Sequence, residues 1–140
     1  MSTIDLHVQE EVYGIMDKEM INLVLRNLLS NAIKFTPENG TITVGIKENK
    51  FLLEIYIKDS GAGISHDVMQ KIRGNNFYTT KGTANESGTG LGLMLCKEYL
   101  HRNNSELFIE SHIGKGSTFS FTLQKSVATI QKKQNRITVP

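Results

Sequence analysis

The chain has 140 residues, 39% hydrophobic and 21% charged, with a net charge of +2 and a single cysteine. This length and composition fit one globular domain with one core. They exclude an internal disulfide framework, and no apolar run approaches the roughly 18 residues of a membrane span or resembles a secretory leader. Lys132, Lys133 and Arg136 lie in residues 126–140, which hold no acid, so residues 1–125 sit near −1 and offer no basic surface for nucleic acid.

Residues Ile4 to Val8 alternate as a half-buried strand does, and Val12 to Met16 form a second short apolar run. Asp17 stands at an N-cap position ahead of a long 3.6-period stretch: Met20, Ile21, Val24, Leu25, Leu28, Leu29, Ala32, Ile33 and Phe35. That helix is apolar nearly all round, which predicts packing on more than one side. Pro37 and Gly40 end it. Thr41 to Glu48 and Phe51 to Lys58 alternate around Asn49-Lys50, a β-hairpin pattern that runs into Asp59-Ser60-Gly61-Ala62-Gly63-Ile64. His66 to Arg73 predicts a short helix whose dipole Asp67 complements. A polar stretch then feeds through Gly88-Thr89-Gly90-Leu91-Gly92-Leu93 into a helix reaching Leu100, with Cys96 as a small core residue. Strands over 107–111 and 117–123 flank the turn Ile113-Gly114-Lys115-Gly116. Residues 126–140 lack apolar periodicity and read as a tail or linker after a domain at 1–125. The expected architecture is α/β in two layers: a mixed, mostly antiparallel sheet of about five strands with three helices on one face.

Several residues carry chemistry. Gly88, Gly90 and Gly92 precede a helix N-terminus, whose unpaired N–H groups suit a phosphate; a tight loop-to-helix connection has the same pattern. Their spacing is neither the dinucleotide fingerprint nor a Walker loop. Asn27 and Asn31, one turn apart, offer two neutral oxygens to a hard cation such as Mg²⁺ whose other ligands come from phosphate, or are simply exposed or capping amides. Lys34 follows on a nearby face, as a phosphate contact or a solvated lysine. Asp59 at a strand end, followed by Gly61 and Gly63, sets an acceptor over backbone that a flat ring can approach, and adenine N6 is a suitable donor; an Asx turn uses the same residues. His66 at a helix start is not read as a phosphoacceptor, and His7, His101 and His112, with no metal-like spacing, read as structural or surface residues.

The order of these pieces is more specific than any one of them. Asn27-Leu28-Leu29-Ser30-Asn31-Ala32-Ile33-Lys34-Phe35 resembles the N box of sensor histidine kinases. Asp59-Ser60-Gly61-Ala62-Gly63-Ile64 resembles their first glycine box, Phe77-Tyr78 their F box, Gly88 to Leu93 their second glycine box, and Gly114-Lys115-Gly116-Ser117 their third. The chain is similar to the catalytic ATP-binding domain of that family, within the GHKL group of the Bergerat fold shared with gyrase, heat-shock chaperones and mismatch-repair ATPases. The resemblance implies ATP and Mg²⁺ as ligands, held between the central helix and a mobile lid over residues 75–89. At the matching positions Asn31 would ligate Mg²⁺ with Asn27 beside it. Asp59 would bind the adenine amine, directly and through a water shared with Ser117, while Gly61 and Gly63 let the base approach. Gly88, Gly90, Leu91 and Gly92 would present N–H groups to the phosphates, with Lys34 and Lys81 as further contacts.

ATP-hydrolysing members of the wider group carry a glutamate one turn before the metal asparagine, as base for the attacking water. Here that position is Asn27, whose amide cannot accept the proton. The resemblance therefore implies a protein-histidine kinase domain; the alternatives are a GHKL-type ATPase fragment, against which Asn27 speaks, and a nucleotide-binding pseudokinase module, against which the intact glycine boxes speak. No phosphoacceptor helical hairpin precedes the motifs, so no catalytic residue of that kind is expected in this chain, nor self-phosphorylation by the chain alone. Implied partners are the dimerisation and phosphoacceptor segment of a parent kinase and a response regulator receiver domain. The implied compartment is the cytoplasm, with no membrane contact from this chain.

Overall fold

A computed structural model describes residues 3–7, 16–74, 80–81, 87–88 and 91–126. Val12 to Ile15, Phe77-Tyr78, Gly90, most of the expected lid and residues 127–140 lie outside the described residues. The elements in order are β1 (Thr3–His7), α1 (Lys18–Phe35), β2 (Thr41–Glu48), β3 (Leu52–Asp59), α2 (His66–Arg73), β4 (Thr80–Lys81), β5 (Ser87–Gly88), α3 (Leu91–Arg102), β6 (Phe108–His112) and β7 (Gly116–Gln124).

The main sheet has the order β1-β2-β3-β7-β6, and β4 pairs separately with β5. β1 runs parallel to β2, as a connection through α1 permits, and the other pairs of the main sheet are antiparallel. This is the expected mixed, mostly antiparallel sheet. Local signals fixed the elements where they could act alone. The Asp17 side chain accepts the Met20 N–H at 3.1 Å and caps α1. The Ser65 hydroxyl accepts the Val68 N–H and caps α2. Asn49 Oδ1 accepts from Leu52 N at 2.7 Å and turns the β2–β3 hairpin.

Alternation along the strands separates two faces. Ile42, Leu53, Ile55, Ile57, Phe121 and Leu123 are buried with Ile21, Val24, Leu28 and Ala32 of α1 and with Cys96 and Leu100 of α3. The opposite face holds Glu54, Tyr56 and Lys58 on β3. There the Tyr56 ring lies over Gly45, where any side chain would collide with it, and the Lys47 ammonium stands 5.2 Å from the ring centroid. The helix layer is joined further by Lys97 Nζ of α3, which donates to the Ile72 carbonyl of α2 at 2.7 Å.

α1 departs from the expectation in one respect. Leu23 and Ile33 are 43% and 54% exposed, although Ile33 falls in phase with the apolar positions. The sheet and α3 cover only part of the circumference, and Leu23, Arg26, Ser30 and Ile33 form the uncovered stripe. Strand limits also move by about one residue: β3 continues through Asp59, which pairs with Ile42 on one side and Ser117 on the other.

Candidate functional site

The last rung of β3 sets Asp59 directly opposite Ser117 of β7, which in turn stands opposite Ser111 of β6. Directly opposed residues of antiparallel strands share a face. Asp59, Ser117 and Ser111 therefore form one polar row at the end of the otherwise apolar helix-side face. Asp59 and Ser117 are both buried. Asp59 Oδ1 accepts the Gly61 N–H at 2.9 Å. Burial pushes the Asp59 carboxyl above its ordinary range, and the Gly61 and Ser117 N–H groups work against that shift. A carboxylate held at such a cost, and turned to the rim of a sheet, is a strong acceptor for a donor brought by a ligand.

The glycines around it are required by packing. A side chain at Gly61 would come within 2.6 Å of the Phe35 carbonyl oxygen, at the end of α1. Gly63 has φ +82°, and a side chain there would strike the His112 carbonyl. Gly116 has φ +109°, and its missing side chain leaves room for the Asp59 carbonyl. Ser60 completes the corner: its Oγ accepts the Thr41 N–H at 2.8 Å, and its own N–H donates to the Thr41 carbonyl. The loop after β3 is thus pressed between the end of α1 and the β6–β7 turn.

Asn27, Asn31 and Lys34 all lie on α1. The contact between Gly61 and the Phe35 carbonyl brings the C-terminal end of α1, whose last turn holds Lys34, to the Asp59 loop; Asn31 lies on the same helix just before that turn. Lys34 Nζ stands 5.6 Å from the Phe35 ring centroid. Asn27 faces α3: its Oδ1 lies 3.5 Å from where a Gly92 side chain would begin, so the carboxamide borders the first turn of that helix. Asn27 also hydrogen-bonds the Cys96 thiol, which burial pushes up to about 12 and this bond lowers in part. Among the described residues no group of three His, Cys, Asp or Glu could hold a metal. The donors that remain, two neutral carboxamides, suit a cation that arrives with phosphate oxygens as its other ligands.

The structure thus brings together Asp59, Gly61, Gly63 and Ser117 at the sheet end, and Asn27 with Gly92 across the α1–α3 contact. Leu91 opens α3, while Lys81 and Gly88 lie on the separate β4–β5 pair. Sequence reading missed Ser111, Ser60 and the partnership of Asn27 with Cys96. Ser111 alone had a signal, its in-phase position on an alternating strand.

Comparison with known proteins gives the chain a family. The profile of the histidine kinase-, DNA gyrase B- and HSP90-like ATPase family matches residues 16–127. The chain is 38% identical over 134 residues to the sensor protein EvgS of Escherichia coli K12, across 89% of this chain and 11% of EvgS. It is 36% identical over 116 residues to the sensor histidine kinase WalK of Bacillus subtilis 168, across 81% of this chain and 19% of WalK. The chain therefore corresponds to a small part of each of these relatives. The solved catalytic domain of histidine kinase ThkA superimposes with a TM-score of 0.75 at 28% identity, over 89% of this chain and 80% of that one. With the glycine-bounded Asp59 corner and the Asn27–Gly92 contact in place, this chain belongs to the histidine kinase-, DNA gyrase B- and HSP90-like ATPase family, as an ATP-binding catalytic domain of the histidine kinase type.

Proposed function

We propose that this domain binds Mg-ATP and transfers its γ-phosphoryl group to a histidine on a separate dimerisation and phosphoacceptor segment. The observation that carries the reading is the buried Asp59 carboxylate, held by the Gly61 N–H beside three glycine positions where backbone packs too closely for a side chain. Asp59 accepts from the adenine amine, and Ser117 shares a bridging water with it. Asn31, with Asn27 beside it, would hold Mg²⁺, which when bound neutralises charge on the phosphate oxygens. The first turn of α3, from Leu91 and Gly92, offers N–H groups to the phosphates, and Gly88 and Gly90 are the further glycines assigned to that contact; Lys34 and Lys81 add positive charge.

In the transfer, a phosphorus–nitrogen bond forms at the acceptor imidazole as the bond from the γ-phosphorus to the ADP oxygen breaks, and the proton on the imidazole's other nitrogen passes to water. The residues of this chain orient the triphosphate and stabilise its charge, which is the larger part of catalysis in phosphoryl transfer. Asn27 supplies no base for water, which favours transfer over hydrolysis. The phosphorylated histidine then serves a response regulator receiver domain, and dependence on ATP makes the cytoplasm the compartment of action.

Calorimetry with ATP, with and without Mg²⁺, tests the binding half. Asn31→Ala is expected to remove the Mg²⁺ dependence while leaving metal-free binding in place. Labelled ATP tests the transfer half: label is expected on a supplied phosphoacceptor segment and not on this chain alone. A folded sample that takes up no adenine nucleotide would end the proposal.

A further inference from the structure

Ser111 belongs to none of the motifs above and to none of the nucleotide contacts just proposed, yet its hydroxyl joins three backbone segments. It accepts the Ile64 N–H at 2.7 Å, lies 3.2 Å from the Gly116 carbonyl oxygen, and lies 2.8 Å from the Ser117 hydroxyl. A serine hydroxyl has one hydrogen and two lone pairs. The Ile64 N–H occupies one lone pair. The Gly116 carbonyl can only accept, so it receives the hydrogen. The contact with Ser117 is then left with the second lone pair, and Ser117 must be its donor. This is the one assignment that satisfies all three contacts together. It turns the Ser117 hydrogen toward Ser111, so only lone pairs of Ser117 remain for the Asp59 side. The Asp59 carboxylate also offers only lone pairs.

We propose that Ser111 is a positioning residue for base specificity: it holds the Ser117 hydroxyl as an acceptor, so that the Asp59–Ser117 wall admits a purine with an amine at position 6 and rejects one with a carbonyl there. The inference rests on the nucleotide reading given under Proposed function. A 6-amino group has two hydrogens, one for Asp59 and one for Ser117 directly or through water. A 6-oxo group turns its own lone pairs onto two acceptors and leaves all of them unpaired, the kind of mismatch against which buried polar sites discriminate well. The same hydroxyl fastens the loop that carries Gly61 and Gly63 to the β6–β7 turn, assisted by the Gly114 N–H, which donates to the Ala62 carbonyl at 2.8 Å.

The test compares ATP with inosine triphosphate, which differs at position 6, by calorimetry on the wild type and on Ser111→Ala, Ser111→Thr and Ser111→Cys. In Ser111→Ala the Ser117 hydroxyl is free to rotate and donate. The ratio of ATP to inosine triphosphate affinity is expected to fall on the order of threefold to tenfold, the worth of one hydrogen bond. Ser111→Thr keeps the hydroxyl and is expected to restore the ratio. Ser111→Cys fills the volume with a weak hydrogen-bonding group, so it repeats the alanine result even if the alanine variant does not fold. Equal weakening of both nucleotides, with the ratio unchanged, would show that Ser111 only supports the structure and would overturn the inference. Amide exchange at Ile64, read without nucleotide, is expected to quicken in the alanine variant and stay at the wild-type rate in the threonine variant; unchanged exchange overturns the hydroxyl network itself. Failure of the wild type to bind ATP would instead strike the nucleotide reading, which the Ile64 measurement does not depend on.

Discussion

Replacing Asp59 by asparagine should move binding and stability in opposite directions. The amide keeps the shape of the carboxylate and one acceptor for the Gly61 N–H, which lies 2.9 Å from Oδ1. It loses the charge and turns a donor toward the ligand amine. A hydrogen bond to a charged group contributes about 1.5–3 kcal/mol, so ATP affinity should fall by roughly tenfold to 150-fold. Stability follows from the raised carboxyl. Its folded-state affinity for a proton exceeds the unfolded one, so its contribution is fully present below the ordinary value of 3.8 and is lost as pH rises through the higher folded value. At neutral pH the wild type therefore bears the cost of a buried charge that the asparagine variant does not. Calorimetric titration with ATP and thermal melts from acid to neutral pH measure the two effects. The melting temperature of Asp59→Asn relative to wild type should climb across that range while ATP uptake drops. Unchanged ATP affinity, or a stability difference that shrinks as pH rises, would refute the reasoning.

Three further outcomes are expected. Gly114→Ala and Gly116→Ala both force an L side chain to positive φ, at a cost of about 1–3 kcal/mol, but nothing lies within 4 Å of a side chain at 114, whereas one at 116 meets the Asp59 carbonyl; urea denaturation should find Gly116→Ala clearly the less stable, and equal losses would contradict the packing argument. Lys125 is 3% exposed at its side chain and lies 3.0 Å from Glu48 Oε2, so Lys125→Ala should cost about 1 kcal/mol through loss of the pair, and a denaturation midpoint equal to the wild type's would deny the pair a role. The Cys96 thiol, pushed up to about 12 by burial, should resist a disulfide reagent at pH 8 until denaturant is added, and prompt labelling of the folded protein would show the α1–α3 contact to be open.

Much of this molecule was readable before its structure because many of its signals are local. Asp17 and Ser65 cap helices through atoms three residues away, Asn49 turns a hairpin through its own neighbours, and two-residue alternation marks β2, β3 and β7. Asp59, Gly61 and Gly63 stand close in sequence, so their common site could be suspected from spacing alone. Asn27 and Asn31 could be paired on one helix face for the same reason, being one helical turn apart.

What tertiary structure alone decided depends on register and on which surfaces meet. The row Asp59–Ser117–Ser111 exists because β7 lies between β3 and β6, and a shift of one residue in either pairing would turn those side chains to the other face. No local pattern encodes that order. Ile33 has the periodicity of a core residue and is exposed, because burial depends on whether a neighbouring element arrives, not on phase. Asn27 meets Gly92 and Cys96 only because α3 packs along α1. The amino-acid sequence by itself determined the helices, the turns and the chemistry offered at each position; the folded sheet decided which of those groups stand close enough to act together, because strand neighbours are set by the energy of the whole core and not by the residues beside them in the chain.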